Sequence, residues 1–507
     1  MSSHNGRIAR NTLALYFRTL LTMAVSLYTS RVVLNALGAS DFGLYALVGG
    51  VVTLMGFLNI AMAASTQRFL NFERNDEDPS RLAKVFGTSL LIHMLLAGAS
   101  LIIAETIGLW FLNTHLNIDP ERVAAANWIF QCVVLSFMVG TIVSPYTAAI
   151  IANERMVAFA YTSILDVSLK LLVAYVLTVV ATDKLQIYAV LMLSASTLVA
   201  AVYILYARRN FAECRVGPRR DEVLFRQILS FSSWSIASNL SVILRLQGTS
   251  IILNLFFGTL VNAALGIATQ VNTAIQSFSA NFTQALNPQI VKNYAHGNME
   301  QMRALVLNGC RLSFYLILLF ALPMLLETEA VLQLWLKNVP DYTTNFVWLI
   351  LVQSLVESFA SVMATAQGAT GHVKWYHITL STIGLLNLPV SYLLLKAGFA
   401  PYVVLVVAIL FSTLIGACRA LFLRRSIRLS LSAFVTTVLL RCLAVTALAV
   451  LAPLAVRHFA PGSLAGAFAV CVVAGLSVLV AIALVGVSGD ERRMIAGKLL
   501  SRLKPAK

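Results

Sequence analysis

The stretch NTLALYFRTLLTMAVSLYTSRVVLNALG, residues 11–38, decides the fold class of this chain. It is mainly apolar and longer than the about 20 residues that a helix needs to cross the hydrocarbon core of a membrane. It nevertheless contains two arginines, Arg18 and Arg31. A charged side chain near the bilayer centre costs about 2.5–3.5 kcal/mol on insertion scales. The stretch therefore predicts a membrane-spanning helix whose arginines serve a structural or functional purpose.

The composition extends this prediction to the whole chain. Of 507 residues, 59% are hydrophobic and 11% are charged, whereas a soluble globular domain carries about 25% charged residues. The net charge of +16 comes mainly from short loops, where the positive-inside rule explains it without a nucleic-acid partner. The six cysteines are scattered and show no metal-ligand spacing, so we predict no metal site.

Apolar runs of spanning length predict an all-α polytopic membrane protein of about fourteen transmembrane helices. The predicted spans are Asn11–Leu37, Leu44–Ala64, Val85–Leu112, Val123–Ser144, Met156–Ala181, Ile187–Ala207, Phe231–Phe257, Ala263–Leu286, Leu305–Leu326, Asn345–Gln367, Tyr376–Leu395, Tyr402–Leu423, Phe434–Val456 and Leu464–Gly486. Alternate loops and both termini carry most of the lysine and arginine. Both termini are therefore expected on the cytoplasmic side.

A weak internal sequence repeat predicts two pseudo-symmetric halves. The stretch SRVVLNALG, from Ser30, resembles TSIILNLFFG, from Thr249, and STQRFLNFE resembles FTQALNPQIV at a nearly constant offset. Repeats of this kind are typical of transporters. We predict an N-terminal six-helix lobe (1–207), a basic cytoplasmic loop (208–226), a C-terminal six-helix lobe (227–430), and helices thirteen and fourteen with a basic tail (431–507).

Two features argue against an enzyme. No loop is long enough for a soluble catalytic domain, and the chain has no GxSxG, HExxH or Walker motif. We predict a transporter without catalytic residues.

Ionisable residues inside predicted spans are the candidate functional residues, because such residues usually face a bundle interior or a hydrated cavity. Asp166 and Lys170 lie four residues apart on one face of the fifth helix. They are either a self-neutralising pair or part of a cavity wall. Arg245, in the seventh helix, lines a cavity or has a structural partner such as Glu357.

Further polar candidates lie in helices eight and nine. The eighth helix carries a stripe that suits sugar hydroxyls or helix–helix hydrogen bonds; its members are Gln270, Thr273, Ser277, Asn281 and Gln284. Arg311, in the ninth helix, either contacts substrate or snorkels to the cytoplasmic surface. Deep cations outnumber Asp166 and Glu357, so a cavity that they line would attract an anion. Arginine matches phosphate oxygens bidentately, which indicates a phosphate-bearing substrate.

The two arginines of the opening stretch have different predicted roles. Arg18 heads a polar stripe on the first helix with Asn11, Thr22, Ser26 and Thr29, and is a candidate phosphate ligand. Arg31 lies some 140° away at about 100° per residue and near the outer end of the span. We predict a gate or structural contact for Arg31.

The first 75 residues resemble the bacterial polysaccharide and O-antigen flippases of the multidrug/oligosaccharidyl-lipid/polysaccharide exporter superfamily. The features that carry the resemblance are the arginine of the first span, SRVVLNALGASDFGLY, the pair Gly49–Gly50, and QRFLNFE. Chain length, helix number and the two halves agree with it. The second helix has no deep basic residue, unlike the lipid II flippase relatives.

The resemblance implies alternating access around a central cationic cavity that includes Arg18, Lys170 and Arg245. The implied substrate is an undecaprenyl-diphosphate-linked oligosaccharide, an O-antigen, capsule or exopolysaccharide repeat unit, flipped across a bacterial inner membrane. Implied partners are this lipid-linked substrate, membrane lipid, and a polysaccharide polymerase with other assembly proteins; the chain is expected to be a monomer. No cofactor is implied, although H⁺ or Na⁺ at Asp166 or Glu357 would reset the cycle. The alternatives are a cation-coupled multidrug antiporter and a lipid II-type flippase.

Overall fold

The computed structural model describes residues 2–73, 79–153, 155–180, 182–459 and 463–487. For residues 2–19, 71–72, 79, 231, 233–238, 281, 285 and 288 it describes the backbone alone. The side chains of Arg18 and Asn281, and the predicted basic tail from residue 488, therefore lie outside the described part.

The described chain is helical throughout. Its α-helices are α1 (Ser2–Leu37), α2 (Ala39–Thr53), α3 (Gly56–Glu73), α4 (Pro79–Ile103), α5 (Leu109–Thr114), α6 (Val123–Ala152), α7 (Met156–Val179), α8 (Lys184–Asn210), α9 (Glu222–Phe257), α10 (Thr259–Ala295), α11 (Met299–Leu326), α12 (Thr328–Leu336), α13 (Thr343–Glu357), α14 (Ala360–Ala369), α15 (Lys374–Lys396), α16 (Val403–Ser426), α17 (Leu431–Phe434), α18 (Leu440–Phe459) and α19 (Leu464–Ala481). Single π-helical turns join α4 to α5 and α17 to α18, and one follows α19.

Every predicted span has a helical counterpart, which confirms an all-α polytopic membrane protein. Among the described residues, twelve helices are long and apolar enough to cross a membrane, and a thirteenth span is the pair α2–α3, bent by 55°. The predicted eighth span is α10, which falls outside this set because its many polar residues lower its mean hydropathy. The count of fourteen is therefore approximate, and α10 is the helix that makes it so.

Two compact units divide the chain. The first comprises residues 1–266 and 385–401, and the second comprises residues 267–384 and 402–507. Unit 1 is built on apolar clusters around Phe86 and Tyr146, around Leu44 and Phe130, and around Leu177. Unit 2 has one large cluster that includes Cys310, Val362 and Val445. The two units are defined by contacts between residues, whereas the predicted lobes 1–207 and 227–430 are defined by the sequence repeat. The lobe boundaries therefore stay a prediction.

The two stretches that resemble each other in sequence share one backbone feature. Gly38 separates α1 from α2 with a φ of 81°, and Gly258 separates α9 from α10 with a φ of 75°. This left-handed region strains any residue with a Cβ, so glycine lets each long helix turn into the next through one residue. Within unit 1 the two junctions meet, because the hydroxyl oxygens of Ser40 and Thr259 lie 3.2 Å apart.

The basic loop 208–226 is folded onto unit 1. Cys214 is fully buried in it, and burial raises the pKa of this thiol. The amide of Arg219 donates to the carbonyl of Gly87 in α4 over 3.1 Å, and Asn153 donates to Glu213 over 3.2 Å. The loop therefore holds the start of α9 in a fixed place beside α3 and α4.

Unit 2 contains one helix that the hydropathy pattern does not predict. Between the ninth and tenth spans, α12 runs over nine residues and buries Leu332 and Leu336 on one side. Nine residues are too few to cross the hydrocarbon core, so a search for apolar runs of spanning length does not detect α12.

Candidate functional site

The predicted acid–base pair of the fifth helix is present in unit 1. The Nζ atom of Lys170 lies 2.8 Å from Oδ2 of Asp166, and the two side chains are 40% and 30% exposed. The helix that carries them, α7, packs along α1. Near the end of both helices the hydroxyls of Tyr28 and Tyr175 share a hydrogen bond of 2.9 Å. Lys170 is thus a fixed, partly accessible cation.

Two arginines that the sequence predicts as functional, Arg245 and Arg31, lie on long helices of unit 1. Arg245 is half-buried in α9, where Thr249 donates to its carbonyl oxygen over 2.8 Å. Arg31 is half-buried near the end of α1, and the Asn35 amide donates to its carbonyl oxygen over 2.8 Å. The pairing of Arg245 with Glu357 stays a prediction, because Glu357 belongs to unit 2.

Helix α10 has two polar faces within unit 2. The first is the predicted stripe of Gln270, Thr273, Ser277, Asn281 and Gln284; Thr273 and Gln284 are exposed, and Gln270 and Ser277 are half-buried. The Ser277 hydroxyl donates to the carbonyl of Ala274 over 2.7 Å. This face leaves polar side chains accessible, which a sugar-binding surface requires.

The second polar face of α10 consists of Asn272, Gln276, Ser279, Thr283 and Asn287, about 120° from the first at 100° per residue. It packs on the tenth span. Ser354 of α13 accepts from Gln276 over 3.2 Å and donates to Asn272. Thr365 of α14 donates to Asn287 over 2.8 Å.

Sequence reasoning missed this second face, although its spacing of i, i+4, i+7, i+11 and i+15 is present in the sequence. Asn272, Gln276 and Asn287 bond to side chains of α13 and α14, and such bonds stabilise the packing of membrane helices. The second face therefore holds α10 in place while the first remains accessible.

Glu357 lies at a break in the tenth span. It is the last residue of α13, and α14 begins at Ala360. Its Oε1 atom accepts from Ser412 of α16 over 2.6 Å and from Gln353 over 3.1 Å. These hydrogen bonds hold the Glu357 carboxylate in the tenth span, and its role as a coupling-ion site stays a prediction.

Arg311 is buried in α11, with 3% of its surface exposed. One of its guanidinium nitrogens donates to Oδ1 of Asn308 over 3.1 Å. The structure thus places Arg311 in the interior of unit 2, and contact with substrate stays a prediction.

The variant Arg311→Met tests whether this arginine contacts the substrate or has only a structural role. A methionine of similar volume fills the buried site but leaves Oδ1 of Asn308 without this donor, which costs about 1–3 kcal/mol. We expect a small fall of the melting temperature in detergent, while transport by the folded protein falls at least about tenfold, a loss of about 1.4 kcal/mol. Wild-type transport by a stable Arg311→Met variant would contradict a substrate role.

Comparison with known proteins gives one family and one fold. The profile of a family described as "Polysaccharide biosynthesis protein" matches residues 35–337. The uncharacterized membrane protein EpsK of Bacillus subtilis (strain 168) is 20% identical over 303 residues, which span 58% of this chain and 59% of EpsK.

Two solved structures have the same fold. The lipid II flippase MurJ, in its inward closed conformation, is similar with a TM-score of 0.69 at 11% identity, over 94% of this chain and 98% of MurJ. An inward-facing multidrug resistance MATE family transporter of the MOP superfamily is similar with a TM-score of 0.61 at 14% identity, over 84% of this chain and 99% of the transporter. At these identities the likeness shows the fold alone.

Proposed function

Because this chain belongs to the polysaccharide biosynthesis protein family, whose profile covers residues 35–337, we propose that it is a flippase for lipid-linked oligosaccharides. The family match carries this proposal. The structural likeness to MurJ supports it at the level of fold. The proposed substrate is an undecaprenyl-diphosphate-linked repeat unit of O-antigen, capsule or exopolysaccharide.

The cations of unit 1 are proposed to hold the diphosphate. Lys170 is 40% exposed and Arg245 is half-buried in α9, so each combines accessibility with a rigid support. Arg18 is proposed to join them from α1. A guanidinium presents two parallel donors to phosphate oxygens, and an ammonium adds a point charge.

The first polar face of α10 is proposed to contact the sugars, through Gln270, Ser277 and Asn281. Amide and hydroxyl groups exchange hydrogen bonds with sugar hydroxyls in place of water. The prenyl chain would remain in lipid, where its burial needs no protein cavity. Arg311 would act from α11, in the interior of unit 2.

Alternating access is proposed to carry the headgroup from the cytoplasmic to the periplasmic leaflet of the inner membrane, with both termini in the cytoplasm. Protonation or Na⁺ binding at Glu357, or at Asp166, would reset the cycle, and Arg31 would close the outer end. The protein would work as a monomer beside a polysaccharide polymerase and other assembly proteins.

Depletion of the protein in its native cell tests this function. We expect lipid-linked oligosaccharide to accumulate in the cytoplasmic leaflet, where it is protected from a sugar-oxidising enzyme added to intact spheroplasts. Re-expression should restore access to the enzyme. Unchanged access during depletion, in a cell with no second copy of the gene, would contradict the proposal.

A further inference from the structure

A polar pocket opens in unit 2 at the connection between α12 and α13. It has a volume of about 520 Å³, and its lining lies within one stretch of chain, from Glu329 to Asn345. The structure describes every residue of this stretch. The stretch contains none of the residues assigned above to the substrate or to a coupling ion. The pocket is therefore a separate feature of unit 2.

The two helices and the turn between them fix the shape of the pocket. Leu336 of α12 and Phe346 of α13 are completely buried, so each helix is anchored in the interior of the unit. Between the helices, the amide of Thr343 donates to the carbonyl oxygen of Pro340 over 3.2 Å. The side chains that line the pocket thus project from a defined backbone.

Two lining residues have an uncommon backbone conformation. Lys337 ends α12 and Tyr342 precedes α13, and both have a φ of 65°. Residues with a Cβ rarely adopt this left-handed region. Such positions collect at ligand-binding and catalytic sites, where the surrounding structure compensates for the strain. The strain in this connection therefore coincides with the pocket that both residues line.

The lining combines hydrogen-bond donors and acceptors. Gln333 and Asn345 are exposed amides, and an amide side chain both donates and accepts. Glu329 and Asp341 accept, and the ammonium group of Lys337 donates. Because the lining carries charges of both signs, charge alone does not select a phosphate group or a metal ion. Sugar hydroxyls donate and accept together, so a saccharide matches this mixed lining.

Tyr342 and Thr343 add an apolar surface and a buried hydroxyl. Tyr342 is 41% exposed, and its ring offers an apolar face on which the C–H groups of a pyranose ring can pack. Thr343 is fully buried, and its hydroxyl oxygen has no hydrogen-bond partner among the described residues. Buried hydroxyls are normally paired, and a sugar hydroxyl at the base of the pocket would supply the partner.

The pocket belongs to the side of the membrane to which the proposed substrate is moved. With both termini in the cytoplasm, the positive-inside rule predicts that the connection between α12 and α13 is periplasmic. On α13, Trp348 lies one turn beyond Asn345 and is 50% exposed. Tryptophan is enriched at the boundary between membrane and water. The pocket would therefore face the headgroup layer of the periplasmic leaflet.

We propose that this pocket is a release subsite that binds a sugar of the repeat unit once the headgroup has reached the periplasmic side. The inference rests on the proposed flippase function. The volume lies within the about 300–1,000 Å³ that is typical of ligand sites. A sugar held in the pocket is kept out of the central path while the protein resets.

The test measures binding of the repeat-unit oligosaccharide to the full-length protein in phosphatidylcholine nanodiscs. The probe is the free oligosaccharide that mild acid releases from the lipid-linked pool of the native cell, with a fluorophore at its reducing end. We expect Gln333→Ala combined with Asn345→Ala to raise Kd at least about tenfold. Both are exposed helical positions, where alanine favours the helix. Tyr342→Asn, which tolerates a positive φ, should also raise Kd.

A matched control and a competing ligand sharpen this test. Asn338→Ala removes an exposed amide of the same connection that does not line the pocket, and it should leave Kd unchanged. Calcium chloride in excess should displace little of the probe, although two carboxylates belong to the lining. An unchanged Kd in the double variant, an equal rise in Asn338→Ala, or full displacement by calcium would overturn the subsite.

Flipping by the same proteins separates this proposal from the flippase assignment. A wild-type protein that flips the lipid-linked substrate, while the double variant keeps its Kd for the free oligosaccharide, would refute the subsite alone. A wild-type protein that binds the oligosaccharide through Gln333 and Asn345 but flips nothing would refute the function and leave a saccharide-binding site.

Discussion

Gly43→Ala is expected to destabilise the protein by more than about 3 kcal/mol, beyond the usual cost of overpacking. Gly43 lies buried in α2 at the place where the two repeat junctions meet. A Cβ atom there would lie 2.0 Å from the carbonyl oxygen of Thr259 and 3.0 Å from the amide nitrogen of Ala263. Both are backbone atoms of α10, so relief requires moving a whole helix. Small residues allow this close approach of membrane helices.

Gly49→Ala is the matched control for this prediction. Gly49 lies in the same helix, and a Cβ atom there would meet nothing within 4 Å. Alanine favours a helix over glycine by up to about 1 kcal/mol, so Gly49→Ala should keep or raise the melting temperature in detergent. Equal melting temperatures for Gly43→Ala and Gly49→Ala would contradict the proposed packing of α2 on α10.

Lys170→Gln is expected to lower the rate of flipping at least about tenfold while changing stability by less than about 1 kcal/mol. The change in stability is small because the proposal places the pair in a hydrated cavity, where a water-exposed i, i+4 pair contributes about 0.3–0.5 kcal/mol. The loss of flipping rate is large because the proposal makes Lys170 a ligand of the diphosphate. A purely structural pair predicts the reverse, no loss of transport beyond the small loss of stability.

A charge swap sharpens this prediction. Asp166→Lys combined with Lys170→Asp keeps an ion pair on the same face of α7 but moves the cation by one helical turn. We expect the swapped protein to keep its melting temperature and to remain slow in flipping. Full recovery of flipping by the swap would show that the pair matters only as a pair.

The helices were predictable because their signals are local. Apolar runs set the spans, and the echo between SRVVLNALG and TSIILNLFFG marked two chain positions that both turn at a glycine with positive φ. The pair Asp166–Lys170 was predictable for the same reason, since four residues of separation decide that two side chains share a helix face.

Features that depend on distant partners were not predictable. Asn272 and Gln276 contact Ser354, and Arg81 and Arg226 line one pocket although 145 residues separate them. No local periodicity reveals which helix will satisfy a polar group. The position of Arg311 within its span could be predicted from the sequence. Its burial could not, because it depends on how α11 packs against its neighbours.

The most direct test of the central claim uses purified protein in liposomes. Fluorescent undecaprenyl-diphosphate-linked oligosaccharide is placed in both leaflets, and the fraction open to an external quencher is followed over time. We predict that the wild-type protein makes nearly all of the lipid accessible, that Arg245→Gln slows this at least about tenfold, and that Arg245→Lys is intermediate. Equal rates with the wild-type protein, with Arg245→Gln and with empty liposomes would contradict the assignment of this chain as a flippase.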